Sequence, residues 1–159
     1  MIRSIIIFFM LYGLYACGDT HCNPELFTGI TLRDYNGSPL SAEDPDDWTF
    51  NDNWHEGIRN FFSEQYETNC NPTYTYSIVA YPNPCNGIFA LSFGKDSLTK
   101  VDIRVVNFVC GTLVSLSTTQ HENNFQLEPK EENRIVRVYY KFIKEGCEFQ
   151  GHGDVAFIK

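Results

Sequence analysis

Apolar residues alternate with polar or small ones over several short stretches in the second half of the chain, and this constrains the fold most. The longest stretch, "RIVRVYYKFI", begins at Arg134. Successive side chains of a β-strand point to opposite faces, so this spacing predicts strands with one face in a core. Its inward positions would be Val136, Val138, Tyr140 and Phe142, with Arg137 and Lys141 on the opposite face.

Further stretches with the same period bring the prediction to about seven short strands, the number typical of a two-sheet sandwich. They lie at residues 74–80, 89–93, 101–105, near 113–116, 125–127 and 154–158. Gly146, Gly151 and Gly153 predict a loop before the last of them. We therefore predict a mainly β fold, an immunoglobulin-like antiparallel β-sandwich with one N-terminal α-helix packed on it.

The predicted helix lies between Trp54 and Tyr66, where the apolar period changes. Asn53 followed by Glu56 fits a capping box, which often opens a helix. Aromatic and aliphatic residues then recur at helical spacing, which predicts one apolar face packed on the sandwich. These residues are Trp54, Ile58, Phe61, Phe62 and Tyr66.

Charge is distributed unevenly along the chain. Residues 18–80 contain 11 acidic side chains against two basic ones, Arg33 and Arg59, a net charge of −9. Residues 81–159 contain nine of each and are neutral. The chain lacks a basic cluster, and phosphate backbones are bound by clustered Lys or Arg, so no nucleic-acid partner is expected.

The first residues, "MIRSIIIFFMLYGLYAC", have a basic start, a short apolar run and a small residue before a cysteine. The run is too short to span a membrane. Leu14, Ala16 and Cys17 resemble the lipobox of bacterial lipoproteins. The resemblance implies that Cys17 carries the lipid, with the membrane as a partner and the outer membrane of the cell envelope as the location. An ordinary cleaved signal peptide that leaves Cys17 as a thiol is the alternative.

The chain then divides into a signal peptide over residues 1–16, a lipidated acidic tether over 17–46, a helix-containing segment over 47–80 and the β-sandwich over 81–159. "YPNP" opens the last part, followed by Gly87, alternating apolar residues and "VDIRVVNFVCGTLV". This arrangement resembles the type A C-terminal sorting domains of the bacterial type IX secretion pathway. The resemblance implies a small β-sandwich that directs export. The alternative is that the sandwich is the working domain of the mature protein.

Lipidation of Cys17 would leave five cysteines, an odd number, in a compartment that permits disulfides. Cys22 follows the anchor closely and is expected to be the unpaired one. The other four, Cys70, Cys85, Cys110 and Cys147, allow three connectivities. Simple strand alternation would place Cys85 and Cys110 at the same end of the sandwich and suggests that they pair.

The sequence "GHGD" is the strongest candidate for chemistry. His152 and Asp154, with help from His121 or His55, would suit a metal or an acid/base site. The alternative is a glycine turn in which both side chains bond the local backbone. No nucleophile elbow, phosphate-binding loop or dinucleotide fingerprint occurs. We therefore predict no catalytic residue, metal or cofactor, and a lipid-anchored envelope protein with a binding or structural sandwich and a protein or glycan partner.

Overall fold

The computed structural model describes residues 29–50, 53–67, 70, 75–128, 130 and 134–158. This part of the chain is mainly β, as predicted, with seven strands and one short helix, α1, at Glu56–Arg59. The strands are β1 (Ser77–Tyr81), β2 (Ile88–Gly94), β3 (Lys100–Asn107), β4 (Thr112–Thr118), β5 (Glu122–Gln126), β6 (Ile135–Lys144) and β7 (Cys147–Ala156).

The strands form two antiparallel sheets. Three strands lie in the order β1-β2-β5, and four in the order β4-β3-β6-β7. The chain changes sheets after β2, after β4 and after β5, so both sheets are assembled from residues distant in sequence. Asn107 pairs with Val136, and Ile135 with Ala156, which aligns β3, β6 and β7 along their length.

The hydrophobic core lies between the sheets and uses the predicted inward residues. Phe89, Leu91 and Phe93 of β2 are at most 2% exposed, and Val138 and Tyr140 of β6 are fully buried. Burying one such side chain stabilises a fold by about 1.5–3 kcal/mol. The period-two pattern therefore predicted these strands correctly, because burial of one face is what the pattern records.

Residues 53–67 cover the outer face of the four-stranded sheet at β3 and β6, so these two strands are buried on both sides. Trp54 and Phe62 stack with ring centroids 5.0 Å apart, and Trp54 meets Tyr139 of β6 edge to face at 5.7 Å. With Ile58 and Val106 they form a second buried cluster. Trp54, Ile58 and Phe62, three of the residues in which the sequence showed helical spacing, thus supply one side of this cluster.

The helix predicted over Trp54–Tyr66 is wrong in its extent. α1 has four residues, and its N-cap is His55 rather than Asn53. Beyond Phe62, backbone groups bond side chains of the sheet instead of a further helical turn. The carbonyl of Glu64 accepts from Lys141 Nζ at 2.5 Å, and the N–H of Tyr66 donates to Glu148 at 3.0 Å. Groups used in this way cannot close helical turns.

The glycines Gly151 and Gly153 lie inside β7, so the loop predicted there is also wrong. A Cβ on Gly151 would stand 1.7 Å from the carbonyl oxygen of Thr49, and one on Gly153 would stand 2.2 Å from the ring of Trp48. Glycine in a strand interior often marks such a close approach. These glycines therefore make room for another segment and do not turn the chain.

Residues 29–46, the described part of the predicted tether, are irregular but packed on the sandwich. Arg33 and Asn83 exchange two backbone hydrogen bonds, at 2.7 and 3.0 Å. Thr31 is 2% exposed. In the described ranges no helix is long and apolar enough to cross a membrane.

Candidate functional site

Residues 47–50 close the side of the sandwich next to β7. The N–H of Trp48 donates to the carbonyl of His152 at 2.8 Å, and the hydroxyl of Tyr140 donates to the carbonyl of Thr49 at 2.6 Å. The Phe50 ring meets Phe142 edge to face at 5.0 Å. This short segment therefore reaches the core between the two sheets, and we call it the plug.

Asp47 joins the plug to β7 through its side chain. Its Oδ1 accepts from the N–H of Asp154 at 2.7 Å, and its Oδ2 accepts from the N–H of Thr31 at 2.9 Å. Burial, with a smaller contribution from the nearby carboxylate of Asp154, raises the pKa of Asp47 to about 6. The two hydrogen bonds lower the pKa but do not offset the burial. The group is thus a buried acceptor whose charge changes within a mild pH range.

Asn83 completes this polar contact from the β1–β2 connection. Its Nδ2 donates to the carbonyls of Thr31 and Asp154, at 3.0 and 2.8 Å, and its Oδ1 accepts from the N–H of Ala156 at 3.0 Å. Asn83 is fully buried, and a buried amide needs hydrogen-bond partners for its N–H and carbonyl groups. These three hydrogen bonds supply them.

His152 and Asp154 of the GHGD sequence lie two residues apart on one face of β7. Both oxygens of Asp154 accept from Arg137, from Nε at 2.8 Å and from Nη2 at 2.7 Å. The His152 ring lies beside Tyr139, with centroids 6.3 Å apart. Across the described ranges, no three His, Cys, Asp or Glu side chains are grouped as metal ligands. The geometry therefore gives Asp154 a structural role.

His55 and His121, the other two histidines considered, also serve local structure. His55 caps α1, where its Nδ1 accepts from the N–H of Gly57 at 3.2 Å. The carbonyl of His121 accepts from the N–H of Phe93 at 2.8 Å, just before β5.

A cleft of about 380 Å³ lies between β1 and the plug. One wall is the edge of β1, at Ser77, Ile78 and Val79, and the opposite wall is residues 43–45 and 47–50. Thr31, Arg33 and Tyr76 complete the lining. The lining combines carboxylates with aromatic rings, namely Glu43, Asp44, Asp47, Trp48, Phe50 and Tyr76.

The edge of β1 presents backbone groups to this cleft. The N–H of Phe93 in β2 donates to His121, just before β5, and so points away from β1. Ile78 of β1 lies opposite Phe93. In such a non-hydrogen-bonded pair both residues turn their backbone groups outward, so those of Ile78 point away from β2. The same alternation applies to Ala80, but Ala80 is fully buried and does not line the cleft. Within the described ranges these outward groups have no backbone partner.

The free edge of β7, in contrast, is covered along its length. The N–H of Glu148 donates to the carbonyl of Glu67, and the N–H of Trp48 donates to the carbonyl of His152. The N–H of Asp154 donates to the Asp47 side chain. The N–H of Cys85 then donates to the carbonyl of Ala156 at 2.9 Å, and its carbonyl accepts from the N–H of Ile158 at 2.8 Å. An open strand edge is a template for another chain. The edge of β7 is closed to one, whereas on β1 the outward groups of Ile78, a residue 3% exposed, have no backbone partner within the described ranges.

Two buried donors in the cleft lining have no hydrogen-bond partner among the described residues. They are Nε of Arg33 and Nε1 of Trp48. The other Arg33 nitrogens bond the carbonyl of Gly37 and the carboxylate of Glu43. Both atoms are closed off from the cleft as well as from solvent.

Two of the four expected cysteines form one disulfide, Cys70–Cys147, with Cα atoms 5.9 Å apart. It joins the chain just after residues 53–67, which we call the outer cover, to the start of β7. Cys85 is a free thiol and buried, so the suggested pairing of Cys85 with Cys110 is wrong. Burial also raises the pKa of the Cys85 thiol. Cys110 is bonded in a different disulfide, whose partner lies outside the described residues.

Sequence reasoning did not identify Asp47, Asn83 or Trp48 as members of one site. Asp47 stands in an acidic run beside Asp46, and nothing in the pattern distinguishes the buried carboxylate from its exposed neighbour.

In the comparisons with known proteins, no family model, no curated protein and no solved structure matches the chain.

Proposed function

We propose that this chain is a lipid-anchored protein of the cell envelope whose sandwich is a binding module. The lipid would be carried by Cys17, and the basic, apolar and small-residue regions before it support this assignment. Several acyl chains on one cysteine anchor a protein stably, whereas a single chain binds reversibly. The outer membrane is the proposed location.

We also infer an immunoglobulin-like arrangement of the sandwich. It is supported by seven strands divided three and four between sheets, with repeated changes of sheet along the chain. A domain of this kind provides a rigid scaffold, and binding then takes place at its edges and loops.

The proposed binding site is the cleft along β1, and the observation that carries this proposal is that Ile78, in the cleft wall, has no backbone partner on its outer side within the described ranges, whereas the edge of β7 is covered. Unpaired backbone groups that form the wall of a cleft suit an extended polypeptide, which can add as a further strand. Trp48 and Tyr76 would then contact its alternate side chains. The acidic lining favours a partner segment with a basic residue.

A glycan chain is the second candidate ligand, favoured by the combination of Glu43 and Asp44 with aromatic rings in the cleft lining. Sugar hydroxyls would donate to these carboxylates. The competing function remains export, with residues 81–159 as a sorting domain. An enzyme centred on His152 and Asp154 is the third.

The anchor is tested by the intact mass of the protein extracted from its native membrane. A mass equal to residues 17–159 plus acyl groups would support a lipid-anchored module that keeps its sandwich. A product that ends near residue 81 would contradict the proposal and support a removable export domain.

The cleft is tested by a photoreactive amino acid at Ser77, with a matched substitution at Ser117. Both serines are exposed, but Ser77 lines the cleft and Ser117 lies on β4, in the other sheet. Irradiation in intact cells should give an adduct from position 77 and none from 117. Mass spectrometry of that adduct separates a polypeptide from a glycan. Equal labelling at both positions, or none, would contradict the cleft as a binding site.

A further inference from the structure

A second cleft, of about 420 Å³, lies at one end of the three-stranded sheet, where β2 begins and β5 ends. One side is formed by Asn86, Gly87 and Ile88, and the other by Gln126, Leu127 and Glu128. The N–H of Leu127 donates to the carbonyl of Gly87 at 2.8 Å, which joins the two sides. The lining has no residue in common with that of the cleft along β1.

The lining of this second cleft is polar but has little excess charge. Asn86 and Gln126 contribute side-chain amides, each of which has donors and an acceptor. The carboxylate of Glu128 is paired with Lys130 at 3.2 Å. Ile88 contributes an apolar side chain that is 54% exposed. A neutral ligand that has both hydroxyl and C–H groups matches this combination.

The strand registers continue this surface along the outer face of the sheet. Ile88 pairs with Gln126, and the next row on the same face contains Tyr81, Ala90 and Asn124. Alternate residues of a strand lie about 7 Å apart on one face. The exposed amides of Gln126 and Asn124 therefore follow one another along β5 at this spacing.

The Tyr81 side chain lies across this second row. Its hydroxyl donates to Oε2 of Glu122 at 2.5 Å, and Glu122 belongs to β5, on the far side of β2. Ala90, in β2 between them, is only 7% exposed, which fits a methyl group that lies beneath the crossing side chains. Tyr81 itself stays partly exposed. Its ring thus adds a second apolar surface, beside the amide of Asn124.

We call this surface the amide strip, which consists of Tyr81, Asn86, Ile88, Asn124, Gln126 and Glu128. Half of its side chains are amides, whereas the centre of a protein interface is apolar. It contains no basic residue, so it does not suit a phosphate or another anion. A sugar ring has hydroxyls at its rim and C–H groups on its faces. It can therefore bond an amide while it packs on Ile88 or Tyr81.

We propose that the amide strip binds a neutral oligosaccharide, with one sugar ring against Ile88 and the next against Tyr81. Gln126 and Asn124, in successive rows, would each bond the hydroxyls of one ring. Glu122, held by Tyr81, adds a further acceptor at that end. The site is separate from the cleft along β1 and does not require the lipid anchor.

Isothermal titration calorimetry tests the amide strip on the full-length, membrane-extracted protein in a detergent without a sugar headgroup. The probes are neutral hexasaccharides of glucose, of mannose and of N-acetylglucosamine. At least one of them should bind the wild type saturably. Gln126→Ala should weaken that binding by about three- to tenfold, because one hydrogen-bonding side chain is lost.

The matched control is Gln120→Ala, because Gln120 is an exposed amide just before β5 and outside the amide strip. It should bind as the wild type does, and circular dichroism should show that both variants are folded. Failure of every probe to bind, or equal affinities in the two variants, would overturn the amide strip.

Glu43→Ala separates this inference from a glycan in the cleft along β1. Glu43 is exposed and lines that cleft only. A hexasaccharide whose binding is weakened by Glu43→Ala and not by Gln126→Ala would lie in the cleft along β1 and overturn the amide strip. Weakening by Gln126→Ala alone supports the amide strip and leaves the polypeptide proposal for the other cleft unaffected.

Discussion

Asp47 accepts a hydrogen bond from the backbone N–H of Asp154, 107 residues further along the chain, at 2.7 Å. The bond covers the edge of β7 with a side chain instead of a strand. It also fixes the plug that forms one wall of the cleft. A single buried carboxylate thus links the acidic N-terminal part of the chain to the last strand.

The raised pKa of Asp47 predicts a pH-dependent stability. The folded protein binds this proton up to about pH 6, whereas the unfolded chain releases it near the ordinary value of 3.8. The native state therefore holds more protons between these values, and the free energy of unfolding falls as pH rises through them. A shift of about two pKa units corresponds to a loss of at most about 3 kcal/mol.

Urea unfolding at pH 4.5 and pH 7 would measure this effect in the wild type and in Asp47→Asn. The loss of stability between the two pH values should be smaller in the variant, because its side chain does not titrate. An identical pH dependence in both proteins would show that Asp47 is not the group responsible.

Gly153→Ala should destabilise the fold, because its Cβ would stand 2.2 Å from the ring of Trp48. Overpacking of this kind costs about 1–3 kcal/mol, measurable by thermal unfolding. The matched control is the same substitution in a Trp48→Ala background, where the ring is gone. Residues in contact are non-additive, so Gly153→Ala should cost less there. An equal cost in both backgrounds would contradict the close packing of the plug on β7.

Lys141 and Glu148 form an ion pair at 2.8 Å, with side chains 2% and 5% exposed. Lys141→Met leaves Glu148 charged, buried and without this partner, and such a loss costs about 3–5 kcal/mol. The double variant Lys141→Met, Glu148→Gln removes the buried charge and keeps an acceptor for the N–H of Tyr66. Chemical denaturation should find it more stable than Lys141→Met. The idea fails if the double variant is the less stable of the two.

Removing the Cys70–Cys147 disulfide should loosen the outer cover more than the sandwich. The bond closes a separation of 77 residues, and chain-entropy estimates for loops of that size are about 4 kcal/mol. In Cys70→Ser, Cys147→Ser, hydrogen exchange should accelerate in residues 53–67 while β3 stays protected. Cys110→Ala serves as the control that leaves this bond in place. Uniform acceleration across all strands would indicate that the disulfide stabilises the whole fold.

The sequence by itself determined which residues face the core. Alternation along β2, β3 and β6 predicted the inward positions, because period-two burial is a local property of a strand. The unusual aromatic content of residues 54–66 likewise predicted a packed face. The extent of the helix could not be predicted, because Lys141 and Glu148 bond the backbone that a helix would use.

Only the tertiary structure decided the nature of β7 and of the candidate site. The glycines of "GHGD" read as a turn in the sequence, and only the approach of Trp48 and Thr49 explains why they lie in a strand. The same approach buries Asp47 and leaves Asp46 exposed. Contacts between residues about 100 positions apart carry no local signal, so the cleft, its open edge at β1 and the covered edge at β7 emerge only when the two sheets meet.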